Sequence, residues 1–148
     1  MSDHVSVVCP ACLAANRVPP GRLHERPACG RCHEKLFGGE PVDVDEASFE
    51  RFLARTATPL LADFWAPWCG PCLQMAPAFA DAARTLEPRA RFVKVDIERS
   101  PALAARYAIR SVPTLVLFDE GRELGRQAGA MSALQIRDWL GQSVPVTL

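Results

Sequence analysis

Every cysteine in this chain belongs to a C-x-x-C pair, and the three pairs are unevenly placed. Cys9, Cys12, Cys29 and Cys32 lie in the first quarter, while Cys69 and Cys72 stand alone further on. The three histidines, His4, His24 and His33, also fall within the first 33 residues. Metal-capable side chains are thus concentrated at the front and the remainder holds a single dithiol, which predicts two units. Gly38-Gly39-Glu40-Pro41 reads as the boundary and gives ranges 1–40 and 41–148. The front range has few large apolar side chains, and a segment that small cannot bury enough surface to hold itself. A metal or disulfides have to make up the difference.

Charge and composition narrow the partners. The 148 residues carry 17 basic and 17 acidic side chains, and the formal charge is zero. Residues 1–40 have five basic and four acidic groups, and Phe37 is their only aromatic. Phosphate contacts and base stacking are both poorly supplied, so no nucleic-acid partner is expected. At 49% hydrophobic and 23% charged residues the composition is that of an ordinary globular domain. No apolar run approaches the roughly 20 residues a spanning helix needs, and Met1 to Pro10 shows neither the basic start nor the apolar stretch of a secretory signal. A cytoplasmic, monomeric protein without membrane contact is the expectation. In that reducing compartment the cysteines read as metal ligands or redox groups rather than as a disulfide framework.

Strand and helix patterns alternate after the boundary. Pro41–Val44 reads as a short strand, and Asp45 as the N-cap of a helix from Glu46 to about Arg55. Leu60–Trp65 is a near-continuous apolar run, as in a strand buried on both faces. Cys69 opens a helix to about Leu86, in which Pro77 predicts a kink. Phe92–Asp96 alternates as a strand, and Ser100-Pro101 starts a short helix to Tyr107. Thr114–Phe118 and Glu123–Gln127 form a hairpin about a turn at Asp119–Arg122. Ser132 caps a last helix with Leu134, Ile136, Trp139 and Leu140 toward the core. Before the boundary, Pro19-Pro20-Gly21 marks a turn and no convincing helix is present. The sum is an α/β layer fold with a mixed sheet.

The lone dithiol sits between the strongest predicted strand and the longest predicted helix, in Trp68-Cys69-Gly70-Pro71-Cys72. At a helix start, unpaired backbone N–H groups and the helix dipole favour a thiolate on Cys69. Cys72, a turn further in, is shielded. The competing reading is half of a metal site or a pair of inert buried thiols. A tetrahedral site would need two further ligands, and residues 41–148 contain no other Cys and no His. Asp63 is equally telling: a carboxyl in an otherwise apolar strand has its pKa raised toward that of a proton acceptor at neutral pH. The plainer alternative is an ion pair between Asp63 and Lys94, the only lysine after the boundary.

Asp63-Phe64-Trp65-Ala66-Pro67-Trp68-Cys69-Gly70-Pro71-Cys72, with Ile109-Arg110-Ser111-Val112-Pro113-Thr114, strongly resembles the thioredoxin family over about Pro41 to Leu140. The resemblance implies the thioredoxin fold, a central mixed β-sheet flanked by helices. It implies that Cys69 is the attacking thiolate, Cys72 the resolving thiol and Asp63 the acid that helps deprotonate Cys72, with Lys94 modulating Asp63. The redox-active disulfide would join Cys69 and Cys72. Pro113 would be a cis proline beside the dithiol, although X-Pro statistics alone favour trans. The backbone of Val112 would pair with an extended substrate segment, and Trp68 and Gly129 would line the docking surface. The activity implied is reduction of protein disulfides in client proteins. A flavin-dependent thioredoxin reductase would renew the dithiol, so NADPH and FAD belong to that partner. Gly70-Pro71 resembles the reducing branch, and a disulfide oxidase or isomerase is the rival within the class.

The front cysteines follow C-x2-C-x16-C-x2-C, a zinc-knuckle spacing that brings four thiolates into one tetrahedron. With this extension the chain resembles the zinc-containing thioredoxin 2 type over nearly its whole length. One Zn2+ per chain, held by Cys9, Cys12, Cys29 and Cys32 in a zinc-ribbon-like module, is expected. Iron in the four thiolates and two structural disulfides are the alternatives, as is His33 in place of the adjacent Cys32. Gly30 fits a tight knuckle turn. A zinc- or redox-sensing binding module, whose front thiolates oxidise and eject metal, is the rival outside the enzyme class.

Overall fold

The computed structural model describes residues 4–144, and the outermost residues of both predicted ranges, 1–3 and 145–148, lie outside it. The front segment holds a hairpin of β1 (Val5–Val8) and β2 (Ala15–Val18), followed by a single 3-10 turn at Pro20–Arg22, where Pro19-Pro20-Gly21 predicts one. The hairpin forms where the sequence offers only short apolar pieces between Pro, Gly and Arg. Then come β3 (Val42–Val44), α1 (Glu46–Arg55), β4 (Leu60–Trp65), α2 (Gly70–Leu86), β5 (Arg91–Asp96), α3 (Pro101–Arg106), β6 (Thr114–Asp119), β7 (Arg122–Ala128) and α4 (Ala133–Ser143). The main sheet has the order β3-β5-β4-β6-β7. β3, β5 and β4 run parallel, β6 is antiparallel to β4, and β7 is antiparallel to β6 and so runs in the direction of the first three.

Alternation along the strands assigns each face its helices. Leu61, Phe92, Leu115 and Leu117 pack with Met75, Phe79 and Leu86 of α2 and Ile136 and Leu140 of α4. Leu60, Ala62, Phe64, Val93, Val95 and Val116 pack with Phe49 and Phe52 of α1 and Leu103 of α3. β4 lies between β5 and β6 and is covered on both faces, which is why it reads as an unbroken apolar run.

Local chemistry fixes most element ends. Asp45 caps α1 in a reciprocal box with Ser48, and Ser132 caps α4 with Gln135 in the same way. Ser100 stands at the N-cap of α3 but its buried hydroxyl makes no capping bond; Pro101 at the first helical position sets that helix start. α2 runs unbroken through Pro77, which lies on the exposed side. Leu134 departs from expectation. It lies in the first turn of α4 and is 60% exposed, and the core is built from Ile136 and Leu140 instead.

The front segment does not stand apart. Val7 points into a small core of its own with Val18 and Leu36, while its neighbour Val8 points the other way into the Phe49–Phe52 cluster of the main domain. Leu13 packs against that same cluster, its carbonyl accepts from Arg51 Nε at 2.9 Å, and the Ser6 carbonyl accepts from the Ala57 backbone at 3.1 Å. The period-2 pattern of β1 thus serves two cores at once. These contacts lie at the C-terminal end of α1 and the entry to β4, whereas the dithiol follows the exit from β4.

Candidate active site and metal centre

β4 delivers the chain to Ala66-Pro67-Trp68, and a turn closed by the Cys69 N–H on the Ala66 carbonyl at 3.1 Å presents Cys69 at the head of α2. Cys69 is the N-cap, with its Sγ accepting the Cys72 backbone N–H at 3.1 Å. The two cysteines form a disulfide with Cα atoms 5.3 Å apart, within the usual range. Both are nearly closed to solvent, Cys69 at 4% and Cys72 at 2%. Pro71 lies in the first turn, where its missing N–H breaks no helical bond. A sulfur that caps a helix and receives an N–H is stabilised as an anion once the disulfide opens.

Three of the other expected residues gather at the same place. Cys69 Sγ lies 3.5 Å from the Val112 carbonyl oxygen, the Val112–Pro113 peptide is cis, and the Gly129 N–H donates to the Pro113 carbonyl at 2.9 Å. Trp68 stands 65% exposed beside them. Its indole N–H donates to Glu98 Oε1 at 2.5 Å, a partner without a local signal, because Glu98 lies 30 positions away in an unpatterned turn. Leu73, directly after Cys72, is a large apolar side chain left 54% exposed, and its place in the sequence does not announce it.

Asp63 sits in the middle of β4 at 1% exposure, on the α2 side of the sheet, in register with Lys94 on one flank and Leu115 on the other. Neither carboxylate oxygen receives a protein hydrogen bond. Burial therefore dominates and pushes the carboxyl up to about 7, against the opposing pull of the Lys94 charge. Lys94 does not close an ion pair onto it; its Nζ lies over the Trp65 ring, 4.3 Å from the centroid.

In the front segment the four sulfurs of Cys9, Cys12, Cys29 and Cys32 all lie within 4.8 Å of one another. Cys9 and Cys32 Sγ are 3.5 Å apart, and Cys12 and Cys29 Sγ 3.6 Å apart. Four thiolates on one zinc at about 2.3 Å place their sulfurs about 3.8 Å from each other, so the arrangement fits that ion. The two knuckles repeat each other. Ala11 N–H and Arg31 N–H donate to the sulfurs of Cys9 and Cys29, each at 3.3 Å. Leu13 N–H and His33 N–H donate to the carbonyls of Cys9 and Cys29, each at 2.9 Å. The backbone N–H of Cys32, helped by the Asn16 amide, lowers the Cys29 thiol to about 6. Cys32 goes the other way. Although the Glu34 N–H favours its thiolate, burial and the three neighbouring sulfurs push it up to about 12. Four sulfurs this close cannot all ionise without a cation among them, which is what a metal centre supplies.

Gly30 is not the residue the knuckles depend on conformationally: its N–H donates to Asn16 Oδ1 at 2.9 Å, and a Cβ there would meet that oxygen at an ordinary 3.7 Å. The left-handed turns fall instead on Leu13, φ 66°, and His33, φ 67°, each directly after the second cysteine of its pair. His33 is exposed and stays outside the four-sulfur cluster.

Comparison with known proteins agrees with both halves of this geometry. The family model for thioredoxin matches residues 40–142, and the zinc-ribbon model described as "Thioredoxin 2, N-terminal" matches residues 8–34. The chain is 43% identical to thioredoxin C-3 of Corynebacterium nephridii over 138 residues, 93% of this chain and 94% of that protein. It is 33% identical to the thioredoxin of Haemophilus influenzae over 105 residues, 71% of this chain and 98% of the relative. Among solved structures, chloroplastic thioredoxin z is similar with a TM-score of 0.65 and 31% identity, over 70% of this chain and 93% of the other. A buried dithiol at a helix head beside a cis proline, matched over most of the chain by these relatives, leads to one conclusion: the chain belongs to the thioredoxin family, as a protein-disulfide reductase with a zinc ribbon at its front.

Proposed function

We propose that the chain reduces protein disulfides by a two-step exchange at Cys69 and Cys72. The Cys69 thiolate attacks one sulfur of a client disulfide, forms a mixed disulfide and expels the other client sulfur as a thiolate. The Asp63 carboxylate accepts the Cys72 proton, and the Cys72 thiolate attacks Cys69 Sγ. The second client thiolate leaves, and the Cys69–Cys72 disulfide carries away the two-electron oxidation. Lys94 moderates Asp63 by its charge. The Val112 carbonyl, held beside Cys69 by the cis Pro113, receives an extended client segment, and Trp68 and Gly129 border it. The observation that carries this reading is the Cys69–Cys72 disulfide capping α2 within 3.5 Å of the Val112 carbonyl.

A flavin-dependent thioredoxin reductase renews the dithiol with electrons from NADPH, so both cofactors belong to the partner. In this reading the chain is a cytoplasmic monomer of two units, 1–40 and 41–148; among the described residues no helix is long and apolar enough to cross a membrane. Cys9, Cys12, Cys29 and Cys32 hold one Zn2+ per chain, which supplies tetrahedral metal–thiolate bonds in place of a larger apolar core.

Insulin reduction with NADPH and thioredoxin reductase, on protein of measured zinc content, tests this directly. Turnover is expected from the unsubstituted chain and none from Cys69→Ser, while Cys72→Ser traps client proteins as mixed disulfides. A folded, zinc-loaded chain without turnover would overturn the reading.

A further inference from the structure

β5 opens on an arginine that is 1% exposed. Arg91 Nη2 donates to the Leu36 carbonyl at 2.6 Å and to the Val8 carbonyl at 3.1 Å. Nη1 faces Glu87 Oε2 at 3.5 Å, and Glu87 Oε1 accepts the Gly39 backbone N–H at 3.0 Å. Phe37 covers the guanidinium at 4.3 Å and Phe52 lies 5.4 Å from it. Two side chains from 41–148 thus hold three backbone groups of 1–40. Val8 is the residue before Cys9, and Leu36, four residues beyond Cys32, is tied by its own N–H to the Pro27 carbonyl just before the second knuckle. Arg91 therefore grips the chain beside each knuckle. A buried guanidinium is tolerated only when its donors are occupied, and the planar fork reaches two carbonyls at once.

We propose that Arg91 is a positioning residue for the zinc site: by holding the Val8 and Leu36 carbonyls it sets the two knuckles at the separation that one tetrahedral ion requires, and so couples zinc occupancy to the stability of the oxidoreductase domain. The proposal rests on the zinc reading of the four cysteines. Coupling of this kind is reciprocal. Metal loss frees the knuckles, disturbs both carbonyls and leaves the guanidinium less well partnered; loss of Arg91 weakens the metal site although no ligand has changed. The reporter is built in, because Trp65, Trp68 and Trp139 all lie after the boundary and their fluorescence follows the oxidoreductase domain.

The test uses the full chain, reduced with a phosphine, and measures zinc affinity by competition with the chromophoric chelator 4-(2-pyridylazo)resorcinol. Arg91→Met is expected to lower affinity at least tenfold, equivalent to about 1.4 kcal/mol. Because that change alone strands the Glu87 carboxylate, the double variant Glu87→Gln/Arg91→Met is measured beside it. Its thermal midpoint by tryptophan fluorescence is expected to recover, while its zinc affinity stays low. In the unsubstituted chain that midpoint is expected to fall when zinc is removed. Unchanged affinity in Arg91→Met, affinity that returns with stability in the double variant, or a midpoint indifferent to zinc would each overturn the proposal. If the unsubstituted reduced chain binds no zinc, the zinc reading fails first and the proposal falls with it.

Discussion

Asp63 shows how one residue read against its surroundings carries functional information. In sequence it is a carboxyl inside an apolar run, and that alone anticipates a raised pKa. The structure adds that neither oxygen is hydrogen-bonded and that Lys94 is turned toward Trp65. This geometry sets a measurable pH dependence. Unfolded, the carboxyl titrates at its ordinary 3.8; folded, it titrates at about 7. Between those values the folded chain keeps a proton that the unfolded chain has lost, so stability falls as pH rises through the window and the penalty is complete above it. About three pH units at about 1.4 kcal/mol each amount to about 4 kcal/mol. In Asp63→Asn this contribution is absent. Urea unfolding of the oxidised protein should show the variant gaining about 4 kcal/mol over the unsubstituted chain between about pH 4 and about pH 8. Any fixed cost of burying the amide cancels in that difference, and parallel pH profiles would show that Asp63 is solvated.

Elements were legible where their signals are local and hidden where a neighbour decides. β4 could be read from its apolar run, and the caps of α1 and α4 from Asp45 and Ser132, because burial on both faces and capping are properties of short segments. The start of β5 was not. Arg91 interrupts the apolar alternation and reads as a residue outside the strand, yet it is buried because residues 55 and 83 positions away supply its acceptors. The knuckles show the same limit. Sequence pointed to Gly30 as the tight turn, whereas the left-handed residues are Leu13 and His33, and nothing in their side chains announces it. Leu13 has packing to lose, since it rests on the Phe49–Phe52 cluster, but His33 is exposed. His33→Gly should therefore relieve backbone strain and stabilise the zinc-loaded chain by up to about 1 kcal/mol. Zinc stoichiometry should stay the same; a drop in bound zinc would make His33 a ligand after all. At the N-cap of α4, Ser132→Ala removes the acceptor for the Gln135 N–H and is expected to cost about 1 kcal/mol in thermal or urea unfolding, without changing insulin turnover.

At the scale of the whole molecule, the fold class and the dithiol could be read because one decapeptide carries both the buried strand and the reactive helix start. The seat of the front module could not, because it depends on which face of β1 meets which core. Val8 and Leu13 take it to the C-terminal end of α1, and the Glu87–Arg91 pair ties it to the far end of α2 and the entry of β5. Cys69 lies at the opposite end of α2, which at 17 residues and about 1.5 Å per residue is about 25 Å long. Trp68 and Leu73, at the Cys69 end of α2, stay exposed, so in the proposed function the module leaves the client side free. Metal and catalysis are thus expected to separate in their responses. On chelation under reducing conditions, well below the unfolding temperature, initial rates of insulin reduction should stay within about twofold, because no group of the client surface is touched. The thermal midpoint should fall in the same samples, because the buried guanidinium and the Val8 side chain lose a firm partner. A rate that drops in proportion to lost zinc, in protein still folded by tryptophan fluorescence, would instead mean that the module reaches the dithiol face in solution and takes part in client binding.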